Sequence, residues 1–222
     1  MLDPSGFTMV ELLIGLVLAM FLTVAMLLSY TFLVRSLIRS ANQQQLEAQS
    51  RRALQMLSQD VLMATDVPSS SVSHVILRLP NGSSGTSFFD VAYAYNANAG
   101  DYQVTLLMTD GTTTVTLPYT TKAGTLTRIY AYYSSGNPKL KLLTLLGDPP
   151  DSIVAQTRVS NFSFNYLDKQ GSLVDASYPL RIKQIEVSGF TVICGNLLTG
   201  TQSSYTGASA RWVLRSKHLG PY

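Results

Sequence analysis

Cysteine, histidine and charge are scarce in this chain, and each scarcity excludes something. With one cysteine, Cys194, among 222 residues, no internal disulfide can form. In the apolar run GFTVIC that thiol reads as a small buried hydrophobe. The two histidines, His74 and His218, have no partner at metal-ligand spacing, and the chain carries no HExxH, CxxC or GxSxG. His74 lies on one face of SVSHVILRL and reads as a solvated strand residue; His218, in SKHLGPY, reads as an exposed one. Only 13% of residues are charged, and the net charge of +3 is too small and too dispersed to argue for nucleic acid. With no recognisable nucleophile–base or metal constellation, neither an enzyme nor a cofactor is expected. Hydrophobic residues make up 46% of the chain. That balance suits a protein partly in a membrane and partly an uncharged, Ser/Thr/Gly-rich exterior domain.

Charge is missing altogether from Leu12 to Val34, a run of 23 residues, LLIGLVLAMFLTVAMLLSYTFLV. About 20 apolar residues at a rise of 1.5 Å cross a hydrocarbon core of roughly 30 Å, so the length predicts a transmembrane helix. A signal-peptide core runs only about 7–15 residues, and MLDPSG ahead of the run holds no Lys or Arg. Glu11 stands out at the head of this run. A carboxylate at mid-bilayer costs roughly 2.5–3.5 kcal/mol, less near a helix end, so its place there needs a reason.

Beyond Val34 the segment RSLIRSANQQQLEAQSRRALQMLSQDVLMATDV has no proline or glycine and consists of good helix formers. Leu46, Ala53, Leu57, Val61 and Ala64 recur at helical spacing and predict a buried stripe. Glu47, Arg51, Arg52 and Gln43–Gln45 form the solvated side. Pro68 and PSSSVS are expected to end a helix of about 60 residues, roughly 90 Å long. After Pro68 the period drops to two. Phe89, Val91, Tyr93 and Tyr95 alternate with Asp90, Ala92 and Ala94. Tyr102, Val104, Leu106 and Met108 run into Asp110-Gly111, a hairpin signal, with Val115, Leu117 and Tyr119 returning. GTLTRIYAYY, KLKLLTLL, NFSFNYL and a late strand RIKQIEVSGFTVI follow, and ARWVLR closes a sheet. The expected architecture is α+β, an antiparallel β domain packed on the amphipathic half of one long helix.

Two further stretches bear on ligands. Asp148 and Asp151 in GDPPD offer oxygens to a calcium ion, but calcium wants about six to eight, and the two prolines make this chiefly a rigid turn. The aromatic stretch Ile129–Tyr133 could stack on bases, yet only Arg128 and Lys139 lie near, and packed strand tyrosines are the better reading.

Gly6-Phe7-Thr8-Met9-Val10-Glu11-Leu12, followed by a long apolar run, resembles the type IV prepilin motif. The resemblance implies cleavage between Gly6 and Phe7 by a prepilin peptidase and N-methylation of Phe7. It also implies pairing of Glu11 with the N-terminal amine of a neighbouring subunit, which would give the buried carboxylate its reason. It divides the chain into a leader (1–6), a transmembrane helix (7–34), an amphipathic continuation (35–67) and an extracytoplasmic β-rich domain (68–222), a pilin-like fold. An Asp late in the helix (LSQDVLMAT), a GTLTR strand, VSNFSFNYLDKQG and IKQIEVSG resemble J-type minor pseudopilins of type II secretion and W-type minor pilins. By that resemblance the chain is a structural subunit of the bacterial inner membrane and then of a pilus or pseudopilus tip. Its partners would be other minor and major pilins or pseudopilins, the inner-membrane assembly platform and membrane lipid, with no nucleic acid. Arg35, Arg39, Arg51 and Arg52 follow the span. The positive-inside rule alone would therefore put the C-terminal side in the cytoplasm, the reverse of the family orientation. Two other readings stand beside this one: an uncleaved, single-span anchored extracytoplasmic binding module, and a membrane-anchored enzyme.

Overall fold

The computed structural model of the chain describes residues 8–81, 87–147, 155–196, 202–207 and 209–214. It opens with helix α1, Met9–Met63, 55 residues long. The chain divides into two compact units, Met1–Ala41 and Asn42–Tyr222.

In the first unit α1 is long and apolar enough to cross a membrane, and the side chains of that stretch are exposed. The hydroxyl of Thr23 donates to the Ala19 carbonyl (2.8 Å) and that of Thr31 to the Leu28 carbonyl (2.9 Å). Both polar groups are thereby satisfied within the helix, as an apolar medium demands.

In the second unit the rest of α1 buries its stripe. Leu46, Ala53, Leu57, Val61 and Ala64 are each at most 2% exposed, as their spacing predicts. The helix ends at Met63, short of Pro68. Its stop is long-range: Thr65 donates both its amide (2.8 Å) and its hydroxyl (3.0 Å) to the Arg78 carbonyl. Pro68 instead lies inside strand β1 (Asp66–Ser70). There the register shifts between Asp66 and Ser69, and a ladder N–H is not needed.

The strands that follow are β2 (His74–Asn81), β3 (Ser87–Asn96), β4 (Gly100–Leu107), β5 (Thr114–Thr121), β6 (Thr125–Ser134) and β7 (Asn137–Leu146). After them come β8 (Ala155–Ser160), β9 (Phe164–Leu167), β10 (Gln184–Val187), β11 (Thr191–Asn196), β12 (Gln202–Thr206) and β13 (Ala210–Val213). Among the described residues these form four antiparallel sheets, ordered β1-β2-β3-β6-β7, β4-β5, β13-β10-β9 and β12-β11-β8. This is the α+β layout expected.

Strand β3 sits at the centre of the five-stranded sheet and is buried on both faces. Val91 and Tyr93 join Val75, Leu77 and the α1 stripe in the main core. The opposite face carries Ala92 and Ala94, with Ile76, Ile129 and Ala131, and the β4–β5 hairpin covers it with Leu106, Met108 and Tyr119. Alternation of large and small residues, rather than apolar and polar, marks a strand between two layers.

The late apolar stretch RIKQIEVSGFTVI is not one strand. Arg181 ends a 3-10 turn, β10 stops at Val187, and β11 begins at Thr191 in a different sheet. The break is enforced where the Ser188 amide bonds the Ser163 carbonyl and the Phe190 carbonyl accepts from Gly207. Phe190 drops into the core, fully buried, against Phe162 at 5.7 Å. A Cβ on Gly207 would stand 2.4 Å from that ring, so only glycine fits. Phe162 itself lies just outside β9 but is buried. The Asp110-Gly111 signal does mark a hairpin, though its loop is longer than two residues. Its Asp110 carboxylate accepts from the Thr113 hydroxyl and the amides of Thr112 and Thr113. The tight two-residue turn is Ser135-Gly136, with φ of 53° and 80°.

Leu57→Ala removes a fully buried side chain at the helix–sheet contact. It should cost about 2–5 kcal/mol in a urea titration followed by the single tryptophan, Trp212, whereas Arg51→Ala, on the exposed side, should cost less than about 1 kcal/mol. The bonds from Thr113 and Thr112 hold the Asp110 carboxyl down to about 2. Its stabilising contribution is therefore present above the ordinary carboxylate range and is lost as pH falls through the folded value. Wild type should out-resist Asp110→Asn in urea at neutral pH, with the two midpoints converging as pH drops from about 4 towards 2.

Candidate functional site

Gly6, Phe7, Asp148, Asp151 and His218 lie outside the described residues. Glu11 is described, and the structure gives it local work. Its Oε2 accepts from the Thr8 amide and from the Thr8 hydroxyl, each at 3.0 Å, while the Thr8 Oγ1 accepts from the Glu11 amide at 3.3 Å. This is a capping box, which satisfies two of the orphan amides at the start of a helix and places an acid where the helix dipole favours one. The signal, Thr8-x-x-Glu11, is legible, but the apolar run around it draws attention to membrane depth instead. The Glu11 Oε1 has no partner among the described residues.

A second constellation joins α1 to the large sheet. Asp60 lies within the buried stripe, 6% exposed, and its Oδ2 accepts from the Tyr93 hydroxyl at 2.6 Å and from Arg128 Nε at 2.7 Å. Tyr93 and Arg128 are direct cross-strand partners on β3 and β6, which is why both reach one carboxylate oxygen. Burial first, and then the Asp60 charge, push the Tyr93 hydroxyl well above its ordinary range, so it remains a proton donor. Arg128 also stacks over Tyr130, 5.5 Å from the ring centroid. These are the Asp of LSQDVLMAT and the Arg of GTLTR, two stretches that the sequence separates by more than 60 residues. Asp60 was not anticipated in the stripe because a charge there reads as an exposed position. The arrangement offers no nucleophile; it fixes the roll and register of the helix on the sheet.

A third tie sits on the opposite face. The Asp90 carboxylate, 4% exposed, takes Arg78 Nε at 3.0 Å, Arg78 Nη2 at 3.3 Å and the Leu107 amide at 3.0 Å. It links β2, β3 and β4.

The remaining candidates are individually accounted for. His74 is half-buried rather than solvated, because the chain turns back over it: its Nδ1 lies 2.6 Å from the Ser71 hydroxyl, and burial lowers its pKa, keeping it neutral at pH 7. Cys194 is 4% exposed, and burial raises its thiol pKa, as suits an inert core residue. Glu47 and Arg51 pair on the exposed side of the helix, and Gln43–Gln45 are exposed. Tyr132 faces Lys139 across the ladder, and Tyr130 faces Lys141, a third cation beside the Arg128 and Lys139 noted in the sequence. Among the described residues, no group of three or more His, Cys, Asp or Glu side chains comes together.

Arg128→Ala leaves the Asp60 carboxylate buried without its cation and should cost about 3–5 kcal/mol. The Asp60→Ala/Arg128→Ala double variant should cost clearly less than the sum of the two single changes, in a urea double-mutant cycle.

No family model, no curated protein and no solved structure matches the chain.

Proposed function

We propose that the chain is a pilin-like structural subunit, cut between Gly6 and Phe7, N-methylated at Phe7 and assembled into a type IV pilus or type II secretion pseudopilus. Its place would be at the tip, among the minor subunits. The observation that carries this reading is Glu11: a carboxylate in the first turn of α1, directly ahead of the uncharged run Leu12–Val34 and set five residues after Gly6. Three physical facts support it. The exposed apolar surface of α1 needs lipid or other helices around it. The Glu11 carboxylate has one oxygen committed to Thr8 and the other uncommitted among the described residues, so it can still receive an ammonium group. The domain beyond is held to the helix by a buried ion pair rather than by apolar contact alone. In this role the helix packs in the filament, Glu11 and the amine of Phe7 set axial register, and the β domain meets neighbouring subunits or cargo.

The capping box favours a second reading. A carboxylate that caps its own helix needs no neighbour, which suits an uncleaved, single-span anchored binding module.

One substitution separates the two. Gln at the third helical position still completes a capping box but carries no charge. On the subunit reading, protein from membranes begins at methylated Phe7 by intact mass, and Glu11→Gln is processed normally yet fails to enter sheared filaments. A chain still beginning at Met1 beside an active prepilin peptidase, or a Glu11→Gln protein that assembles like wild type, would favour the module.

A further inference from the structure

Beside the β4–β5 hairpin, a cleft of about 920 Å³ runs along β2, where His74, Ile76 and Arg78 line it. Its floor includes Ile76, Ala92 and Ala94. One wall is unusual: Tyr102, Gln103, Val104 and Thr105 line it consecutively. Side chains alternate along a strand, so four residues in a row present its edge, not a face.

Among the described residues that edge is unpaired, and strand β4 is bonded to β5 alone. Alternate residues of an antiparallel strand point their backbone groups towards the partner and away from it. Two observations fix the parity. The Leu107 amide turns away from β5 to Asp90, and Pro118, which has no N–H, stands opposite Gln103. The backbone groups of Gln103 and Thr105 therefore point outward, along the edge that lines the cleft.

Other edges of these two sheets are guarded. Strand β1 carries Pro68 and a register shift, β5 carries Pro118, and β7 carries Pro138, Lys139 and Lys141. Such devices stop strand addition. Beyond Asp101, strand β4 has none of them. Asn96, which also lines the cleft, is 5% exposed, and its Nδ2 donor has no partner among the described residues. A buried amide left unpaired costs free energy until an acceptor arrives.

We propose that this cleft binds an extended polypeptide segment of a partner protein, which adds as a strand to the free edge of β4. The segment is uncharged, with small or β-branched side chains, to suit the alanine floor. A carbonyl of the segment accepts from Asn96 Nδ2, while Gln103 and Thr105 supply the ladder. Pro68 and Ser69 of β1 line the same cleft as the edge, which leaves room beside it for a single free strand rather than the sheet of a second folded copy. This site stands on β-domain geometry and does not depend on processing at Gly6.

The test uses the full chain in detergent micelles and, as probe, an acetylated, amidated heptapeptide of alternating threonine and valine. Fluorescence anisotropy of the labelled probe should saturate in the micromolar range. Hydrogen exchange in Gly100–Leu107 should slow on probe addition, while Thr114–Thr121 stays unchanged. Gln103→Pro removes an outward N–H that β5 does not use, and should weaken binding at least about tenfold. No saturation, no slowing in the Gly100–Leu107 segment of the wild type, or a folded Gln103→Pro protein that binds like wild type would each overturn the proposal. So would slowing in that segment that follows protein concentration without probe, the mark of self-pairing. Should Gln103→Pro fail to fold, the wild-type exchange pattern decides.

Discussion

One carboxylate fixes how the second unit is put together. An apolar stripe of leucine, valine and alanine holds a helix against a sheet but tolerates sliding and rolling, because dispersion and the hydrophobic effect are barely directional. Asp60 is directional. Its Oδ2 meets two donors, from adjacent strands, at 2.6 and 2.7 Å, and no other roll of the helix brings it to both. As a source of net stability a buried ion pair is weak, since desolvation offsets most of the attraction. As a register device it is strong, because any misplaced arrangement buries an unpaired charge. Helix position, the pairing of β3 with β6, and the covering of Tyr93 therefore form or fail together.

The sheet's other face follows a similar logic with less charge buried among apolar groups. Small residues on β3 and β6 let the β4–β5 hairpin lie close, and Asp90 fastens it by the Leu107 amide and Arg78. Among the described residues, this hydrogen-bonded fastening is at the Leu107 end of β4. Towards Gln103 the hairpin stands clear of β2, which is how a closed core and an open cleft coexist on one face.

How much of this was legible follows from what each signal depends on. The five stripe residues of α1 were readable because helical period and apolarity coincide there. Asp60, one position before Val61, was not, since its burial depends on Tyr93 and Arg128 far along the chain. The end of the helix was misplaced for the same reason: Thr65 is captured by Arg78, while Pro68, the local stop signal, serves a strand edge. In IEVSGFTVI the buried apolar positions slip from odd (Ile185, Val187) to even (Phe190, Val192) at Ser188-Gly189, so the switch between sheets leaves only a one-residue phase shift as its local trace. Turn chemistry at Asp110 and Asp168 was readable, because those carboxylates bond amides two to four residues on.

At the N-terminus two explanations of Glu11 look like rivals, yet their geometry is compatible. A carboxylate offers about four lone-pair sites, and the capping box uses only Oε2. The box also holds the side chain back along the helix towards Thr8. Without a cap, the side chain would be free to turn outward into the apolar surroundings at a desolvation cost. With one, the charge stays at the end of the helix, partly neutralised by the Thr8 amide and hydroxyl and by the dipole. Capping then lowers the penalty of keeping an acid in the first turn and, among the described residues, leaves its second oxygen uncommitted, as the proposed pairing with an amine requires.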